Sequence, residues 1–172
     1  ADMREMESGK VSLEDISVTC CHICQGYEKM PITRGLCKNA LKNYNNLVKE
    51  EEIDLILVST ATPDYSSVPS TACVVQRELG AKNATAFDLS AACSGFLYAL
   101  DTASALMKSH NWKYALVCGT EILSKIVDWS DRGTCILFGD GSGAVLIEND
   151  FSDENKGFSS FVLGSDGTGV DA

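Results

Sequence analysis

The sequence predicts an α/β domain with a largely parallel sheet. Short runs of β-branched and aliphatic residues alternate along the chain with longer helix-like stretches, which is the pattern of helices packed on the faces of a parallel sheet. The 172 residues suffice for one domain of ordinary size. Their composition, 45% hydrophobic and 22% charged, is typical of a soluble globular protein.

The first clear strand is followed by the first helix. Residues 53–59 are mostly β-branched or aliphatic, which is typical of a strand covered on both faces. After a loop over 60–67, residues 69–71 predict a helix start, and Gly80 suits the position just past the helix end. The predicted apolar face of this helix consists of Val74, Val75 and Leu79.

A turn of small residues separates the second strand from the second helix. The strand is predicted over 84–89, and the turn over 91–95. Residues 96–107 are apolar on nearly every side of a helix, which is typical of a helix that is buried all round.

The remaining predicted elements are strands. One covers 114–119, and two more, over 134–138 and 144–147, flank a glycine-rich hairpin turn over 139–143. A last strand is predicted over 158–163.

The segment 15–46 does not follow this pattern. It lacks a clean period, and only residues 36–47 resemble a helix. We therefore treat 15–46 as an atypical part of a single domain that covers residues 1–172.

Charge and hydropathy exclude several classes of function. The net charge of −10 argues against a nucleic-acid groove, which needs clustered Lys and Arg. The longest apolar runs, near 55–58 and 135–138, are far shorter than the ~20 residues of a membrane span. The charged opening residues lack the apolar segment of a signal peptide, so we expect neither a membrane location nor secretion.

The eight cysteines do not predict a disulfide framework. Four of them lie inside apolar segments, where free cysteine behaves as a small hydrophobe, and a reducing compartment is expected. A zinc site near Cys20-Cys21-His22-Ile23-Cys24 is also disfavoured, because only Cys37 is available outside that run. We expect no metal and no cofactor. The four cysteines in apolar segments are Cys73, Cys93, Cys118 and Cys135.

Cys93 is the candidate nucleophile. It lies where a predicted strand turns into the apolar helix, and its small neighbours permit a tight turn and close approach of a substrate. A thiol at a helix start faces unpaired N–H groups and the positive end of the helix dipole, which stabilise the nucleophilic thiolate. The same N–H groups can hold a thioester oxygen as it becomes negative. On local grounds alone, a small cysteine filling a gap in the core is the alternative.

Two further segments contain residues typical of phosphate or nucleotide sites. In the run 131–134, Arg132 can grip a phosphate or stack on a base, with an ordinary solvated loop as the alternative. The glycine-rich run 139–143 precedes a strand and not a helix, so it does not predict a nucleotide site.

Five motifs, in order and at suitable spacing, resemble the β-ketoacyl-ACP synthase III family of thiolase-superfamily condensing enzymes. The resemblance runs over residues 52–169. It implies an αβαβα layered fold made of two similar halves, of which this chain corresponds to the first. The motifs are residues 54–64, 69–73, 86–96, 127–134 and 138–144.

The resemblance also implies a reaction and its site residues. An acyl group passes from acyl-CoA to Cys93 and then condenses with malonyl-ACP, with loss of carbon dioxide. Arg132, with Gly133, is placed against the adenine end of CoA, and Leu123 and Phe138 along the acyl pocket. Val68 falls where relatives often carry a bulky Phe from the neighbouring subunit.

The chain departs from the family pattern in several places. The family's first strand and its Trp-containing arm are expected before residue 1. Its catalytic His and Asn belong to the second half, and neither His22 nor His110 fits that role. Without them we expect Cys93 to be acylated but condensation to fail.

The sequence is compatible with three hypotheses of function. The first is an initiating ketoacyl synthase with acyl carrier protein and acyl-CoA as partners, homodimeric in its full-length form. It would be cytoplasmic in a bacterium, or plastidic in a plastid-bearing eukaryote. The others are a polyketide-type (chalcone synthase-like) or hydroxymethylglutaryl-CoA synthase-like enzyme, and a non-catalytic half-domain that serves as an interaction partner.

Overall fold

The computed structural model describes residues 16–17, 48–150 and 157–169. The predicted helix over 36–47, the cysteine-rich run 20–24 and most of the atypical segment 15–46 lie outside the described residues. The strands are β1 (Ile16–Ser17), β2 (Leu55–Ser59), β3 (Thr85–Leu89), β4 (Tyr114–Ile122) and β5 (Asp140–Glu148), and the helices are α1 (Thr71–Leu79) and α2 (Gly95–His110).

The five described strands form one sheet in the order β1-β5-β4-β2-β3. Strand β2 pairs in parallel with both β3 and β4, while β5 pairs antiparallel with β4 and with β1. Four of these strands therefore run in one direction and β5 runs against them. The prediction of a largely parallel sheet is confirmed, with one reversed strand.

Strand β2 lies at the centre of two cores. All five of its residues are buried, as its aliphatic run predicts. Alternate side chains point to opposite faces of a strand, so Ile56 and Val58 pack towards α1, whereas Leu55 and Leu57 pack towards α2. The described residues thus form three layers, helix on sheet on helix.

Helix α1 has the boundaries that the sequence predicts. The Ser70 hydroxyl oxygen accepts the N–H of Cys73 (3.2 Å) and caps the first turn. Gly80 ends the helix in the left-handed conformation (φ 79°), which favours glycine. Val75 and Leu79 are buried as predicted, and Val74 is half-buried.

Helix α2 differs from the helix predicted to be buried all round. It extends to His110, and its buried residues, Gly95, Ala99, Ala103 and Met107, form a single stripe at a spacing of four. Leu97 on the opposite side is 58% exposed. The difference arises because the described residues supply a sheet on only one side of this helix.

Three predictions about the region after β4 are wrong. Residues 132–137 form consecutive turns and not a strand, and the glycine-rich run does not form a hairpin turn. Instead Asp140–Gly143 belong to β5 and pair with Gly119–Ile122, because β4 continues three residues beyond its predicted end and needs a partner there. The strand predicted over 158–163 is absent from the described structure.

Within the described part of the chain, no helix is long and apolar enough to cross a membrane.

Candidate functional site

The candidate site lies at the carboxyl-terminal ends of the parallel strands. Strands β2, β3 and β4 all end at this edge of the sheet, and the loops that follow them carry most of the residues singled out by the sequence. In open α/β sheets, ligands characteristically bind in the crevice outside these strand ends.

Cys93 lies in a tight turn between β3 and α2. A short 3-10 turn spans Ala92–Ser94, and α2 begins at Gly95. Ala92 has a positive φ of 46°, a conformation that residues with a side chain rarely adopt. The turn leaves the Cys93 side chain exposed at the start of the helix.

Two glycines allow α2 to approach the sheet closely at this turn. A Cβ at Gly95 would collide with the side-chain oxygen of Ser59, the last residue of β2. A Cβ at Gly119 of β4 would lie 3.3 Å from the ring of Phe96. The absence of side chains at these positions therefore fixes where the helix begins, and with it the position of Cys93.

Cys93 is distinguished from the other described cysteines by its exposure. Cys73 and Cys135 are half-buried and Cys118 is buried, and none of these four forms a disulfide. No group of acidic, His and Cys side chains among the described residues is arranged to hold a metal ion.

Leu123 and Phe138 lie on the same cleft, beyond the end of β4. Apolar groups dominate its lining, and its volume is about 200 Å³. Asp140 holds one wall, because its carboxylate accepts both the N–H (2.8 Å) and the hydroxyl (2.7 Å) of Ser124. The full lining is Leu123, Ile126, Val127, Asp128, Thr134 and Phe138.

Arg132 lies in an exposed loop that contains two aspartate-centred turns, and it belongs to the second of them. The hydroxyl of Ser130 donates to Asp128 (2.7 Å) and lowers the pKa of that carboxyl from its ordinary value. The hydroxyl of Thr134 donates to Asp131 (2.6 Å) and lowers the pKa of Asp131 likewise.

Gly133 and Arg132 have different surroundings in this loop. The Gly133 N–H donates to Asp131 (2.9 Å), so it is part of the second turn. The Arg132 side chain makes no ion pair with another described residue and is open to solvent.

A second cleft, of about 340 Å³, lies beside the Cys93 turn. One wall is the loop after β2, and the other is the end of β3 with Ser90, three residues before Cys93. Val68 is 80% exposed and lines neither of these two clefts. The lining consists of Thr60, Ala61, Pro63, Tyr65, Ser66, Ser67, Asp88, Leu89 and Ser90.

Three carboxylates that sequence reasoning did not single out hold these loops in place. Asp88 accepts the N–H groups of Thr71 and Ala72 (both 2.7 Å) at the start of α1. Glu121 accepts from the loop after β2, and Asp140 from the turn after β4. Asp88 lies near the end of a predicted strand, whereas Glu121 lies beyond the predicted strand 114–119 and Asp140 lies in the predicted turn 139–143, so local sequence does not indicate their contacts.

Comparison with known families matches this part of the chain. A profile of the 3-oxoacyl-[acyl-carrier-protein (ACP)] synthase III family matches residues 87–167. A β-ketoacyl-[acyl-carrier-protein] synthase III of Clostridium acetobutylicum is 61% identical over 124 residues, covering 72% of this chain and 37% of that protein. One of Clostridium tetani is 49% identical over 153 residues, covering 85% and 45%.

Solved structures give the same result. The 3-oxoacyl-[acyl-carrier-protein] synthase III of Aquifex aeolicus superposes with a TM-score of 0.66 at 50% identity, over 72% of this chain and 40% of that one. The corresponding synthase of Thermus thermophilus gives 0.69 at 43% identity, over 79% and 42%. The chain thus spans less than half the length of these relatives.

Proposed function

Because the described part of this chain belongs to the 3-oxoacyl-[acyl-carrier-protein] synthase III family and has its thiolase-like fold, we propose that it carries out the acyl-transfer step of an initiating condensing enzyme. In this proposal Cys93 is the nucleophile that takes an acyl group from acyl-CoA. The observation that carries the proposal is the position of Cys93, the exposed thiol at the tight turn that starts α2.

The acyl transfer is a thioester exchange. The Cys93 sulfur attacks the carbonyl carbon of acyl-CoA, the bond from that carbon to the CoA sulfur breaks, and CoA leaves with the proton that the Cys93 thiol gave up. The intermediate carries a negative oxygen that needs hydrogen-bond donors.

The turn itself limits which N–H groups can serve as these donors. The N–H groups of Ser94 and Gly95 donate to the carbonyls of Ala91 and Ala92. The Cys93 N–H has no backbone acceptor within the described residues. We propose the Cys93 N–H as a donor to the oxyanion, which narrows the sequence-based expectation that the N–H groups at the helix start share this role.

Condensation is proposed only for a protein that carries the remaining family length. In that step malonyl-ACP loses carbon dioxide, its α-carbon attacks the acyl carbonyl and the bond from that carbon to the Cys93 sulfur breaks. The 3-oxoacyl-ACP leaves as product, and the released Cys93 thiolate takes up a proton from solvent. The family resemblance assigns stabilisation of the enolate to a His and an Asn in the other half. His110 is exposed and stacks on Trp112 (4.6 Å between ring centroids), away from the Cys93 turn at the opposite end of α2.

The surrounding residues supply the proposed substrate contacts. Leu123 and Phe138 line an apolar cleft suited to an acyl chain. Arg132 is solvent-exposed and available for the phosphate or adenine groups of CoA, next to Gly133. Val68 remains proposed as a residue that meets a neighbouring subunit, in a homodimer that also binds acyl carrier protein.

Acyl uptake tests the proposal directly. Incubation of the chain with acetyl-CoA and intact-mass analysis should give one acetyl adduct that maps to Cys93. Cys93→Ser should not accumulate this adduct, and Cys135→Ser, which removes a half-buried thiol from the same fold, should retain it. An adduct that survives Cys93→Ser unchanged would overturn the assignment.

A further inference from the structure

Glu121 joins the end of β4 to the loop that follows β2. One of its carboxylate oxygens, Oε1, accepts the N–H of Ala61 (2.8 Å). The other, Oε2, accepts the hydroxyl of Thr62 (2.7 Å). The Thr62 oxygen in turn accepts the N–H of Ile122 (2.7 Å). The loop therefore donates hydrogen bonds to the strand, and the strand donates one to the loop.

These contacts begin where the backbone pairing between the two strands stops. The parallel register of β2 and β4 ends at Ser59 opposite Gly119. Past that point Thr60 donates its N–H to Leu89 of the neighbouring strand, and the chain turns away from β4. The side chains of Thr62 and Glu121 therefore replace the missing backbone ladder.

The junction lies on the same face of the sheet as the start of α2. Gly119 packs against Phe96 of that helix, and Glu121 is two residues further along the strand on the same face. The loop that it holds provides Thr60, Ala61 and Pro63 to the cleft beside the Cys93 turn.

We propose that Glu121 and Thr62 are positioning residues that hold the loop 60–67 as a fixed wall of the cleft beside Cys93. The proposal rests on the proposed acyl transfer, and it takes part of the extended thioester to contact this wall, which borders Ser90, three residues before Cys93. A small reagent that approaches the exposed thiol from solvent does not need this wall.

A carboxylate is suited to this role because it only accepts hydrogen bonds. Both groups that meet Glu121 are donors, and the Thr62 hydroxyl accepts the N–H of Ile122 while it donates to Glu121. In Glu121→Gln, the amide –NH2 would face one of these donors. In Thr62→Val the hydroxyl is lost at similar volume, while Thr62→Ser keeps it.

The test compares two probes of Cys93 on the full chain. The rate of acylation by acetyl-CoA is measured by intact mass, and the rate of alkylation by iodoacetamide is measured in parallel. For Glu121→Gln and Thr62→Val we expect acylation to fall about tenfold or more, because a displaced wall misplaces the bound thioester. Alkylation should stay within about twofold, and Thr62→Ser should restore acylation.

Hydrogen–deuterium exchange of the same variants provides a readout that does not depend on activity. Exchange in the peptide that contains residues 60–67 should rise in Glu121→Gln and Thr62→Val, while exchange in the buried strand β2 stays unchanged. Glu121→Asp, which shortens the carboxylate side chain, is the milder variant if Glu121→Gln does not fold.

The outcomes separate the two proposals. Failure of the wild type to take up an acetyl group would overturn the proposed function, and the exchange result would then decide alone whether Glu121 and Thr62 hold the loop. Unchanged exchange in the loop would overturn the positioning role. Increased exchange with acylation and alkylation reduced equally would also overturn it, since that pattern indicates general destabilisation.

Discussion

The side-chain oxygen of Ser59 fills the space in which a side chain on Gly95 would lie. Ser59 is 3% exposed at the end of β2, and Gly95 is the first residue of α2. Because the helix begins against a buried strand end, the Cys93 turn that precedes it is held in one place.

Gly95→Ala should therefore destabilise the protein. Forcing a methyl group into a filled core site typically costs about 1–3 kcal/mol, and the strain falls next to Cys93. Urea unfolding should show the loss as a lower midpoint. Gly139→Ala is the matched control, since a Cβ at Gly139 meets nothing within 4 Å.

The clash between Ser59 and a side chain at position 95 can also be tested by removing the Ser59 oxygen. In a Ser59→Ala background the oxygen is gone, so Gly95→Ala should cost less than in the wild type. Equal costs in both backgrounds would show that Ser59 is not what excludes the side chain.

Replacing Asp88 by Asn should loosen the start of α1. The carboxylate accepts two backbone N–H groups there, and hydrogen bonds to charged groups each contribute about 1.5–3 kcal/mol. We expect a loss in the free energy of unfolding of about that size for the variant, measured by urea denaturation. Asp64→Asn makes the same change of charge on an exposed side chain and should leave stability nearly unaltered.

The sequence-based predictions agree with the structure where neighbouring residues alone determine the backbone conformation. The limits of α1 follow from Ser70 and Gly80, and the small residues around Cys93 predict the turn that is observed. The strand predicted over 134–138 fails because an apolar run does not reveal whether a partner strand exists. Phe138 instead lines a cleft.

The features that the sequence did not predict depend on contacts between residues that are distant along the chain. The glycine-rich run resembles a hairpin turn locally, yet its pairing with the end of β4 makes it part of a strand. Glu121 reaches Ala61, sixty residues away in sequence, and no local pattern encodes that contact. Residues of this kind become visible only when the register of the sheet is known.

The loop around Arg132 should be sensitive to acid. The hydroxyl of Ser130 lowers the pKa of Asp128. The ionised carboxylate therefore stabilises the folded loop at any pH above the pKa that Asp128 has in the unfolded chain. This stabilisation is lost as the pH falls through the lower pKa that Asp128 has in the folded state. The loop should therefore loosen only below about pH 4.

In Ser130→Ala the pKa of Asp128 should move up towards its ordinary value, as followed by NMR titration of the carboxyl carbon. The pKa of Asp131, held by Thr134, should stay low. A pKa of Asp128 unchanged by Ser130→Ala would contradict this account.

Cys93 should be the first of the described thiols to react with limiting iodoacetamide. The reason is access, since it is exposed while Cys73 and Cys135 are half-buried and Cys118 is buried. Peptide mapping of a folded sample gives the order of modification. Modification of Cys118 before Cys93 would show that the turn is not formed as described.

Arg132 should contribute to CoA affinity and not to the chemistry at Cys93. Its guanidinium makes no ion pair with another described residue, so Arg132→Ala removes a contact to ligand without breaking a structural one. Charge-assisted hydrogen bonds to phosphate are among the strong ones, and we expect the KM for acetyl-CoA in the acylation of Cys93 to rise about tenfold with the maximal rate nearly unchanged.

Acetyl-pantetheine provides the matched control, because it carries the same thioester without the nucleotide. Its acylation rate should be the same in Arg132→Ala and in the wild type. An equal loss with both substrates would assign Arg132 to the thioester end of the site, and the proposed orientation of CoA would have to be reversed.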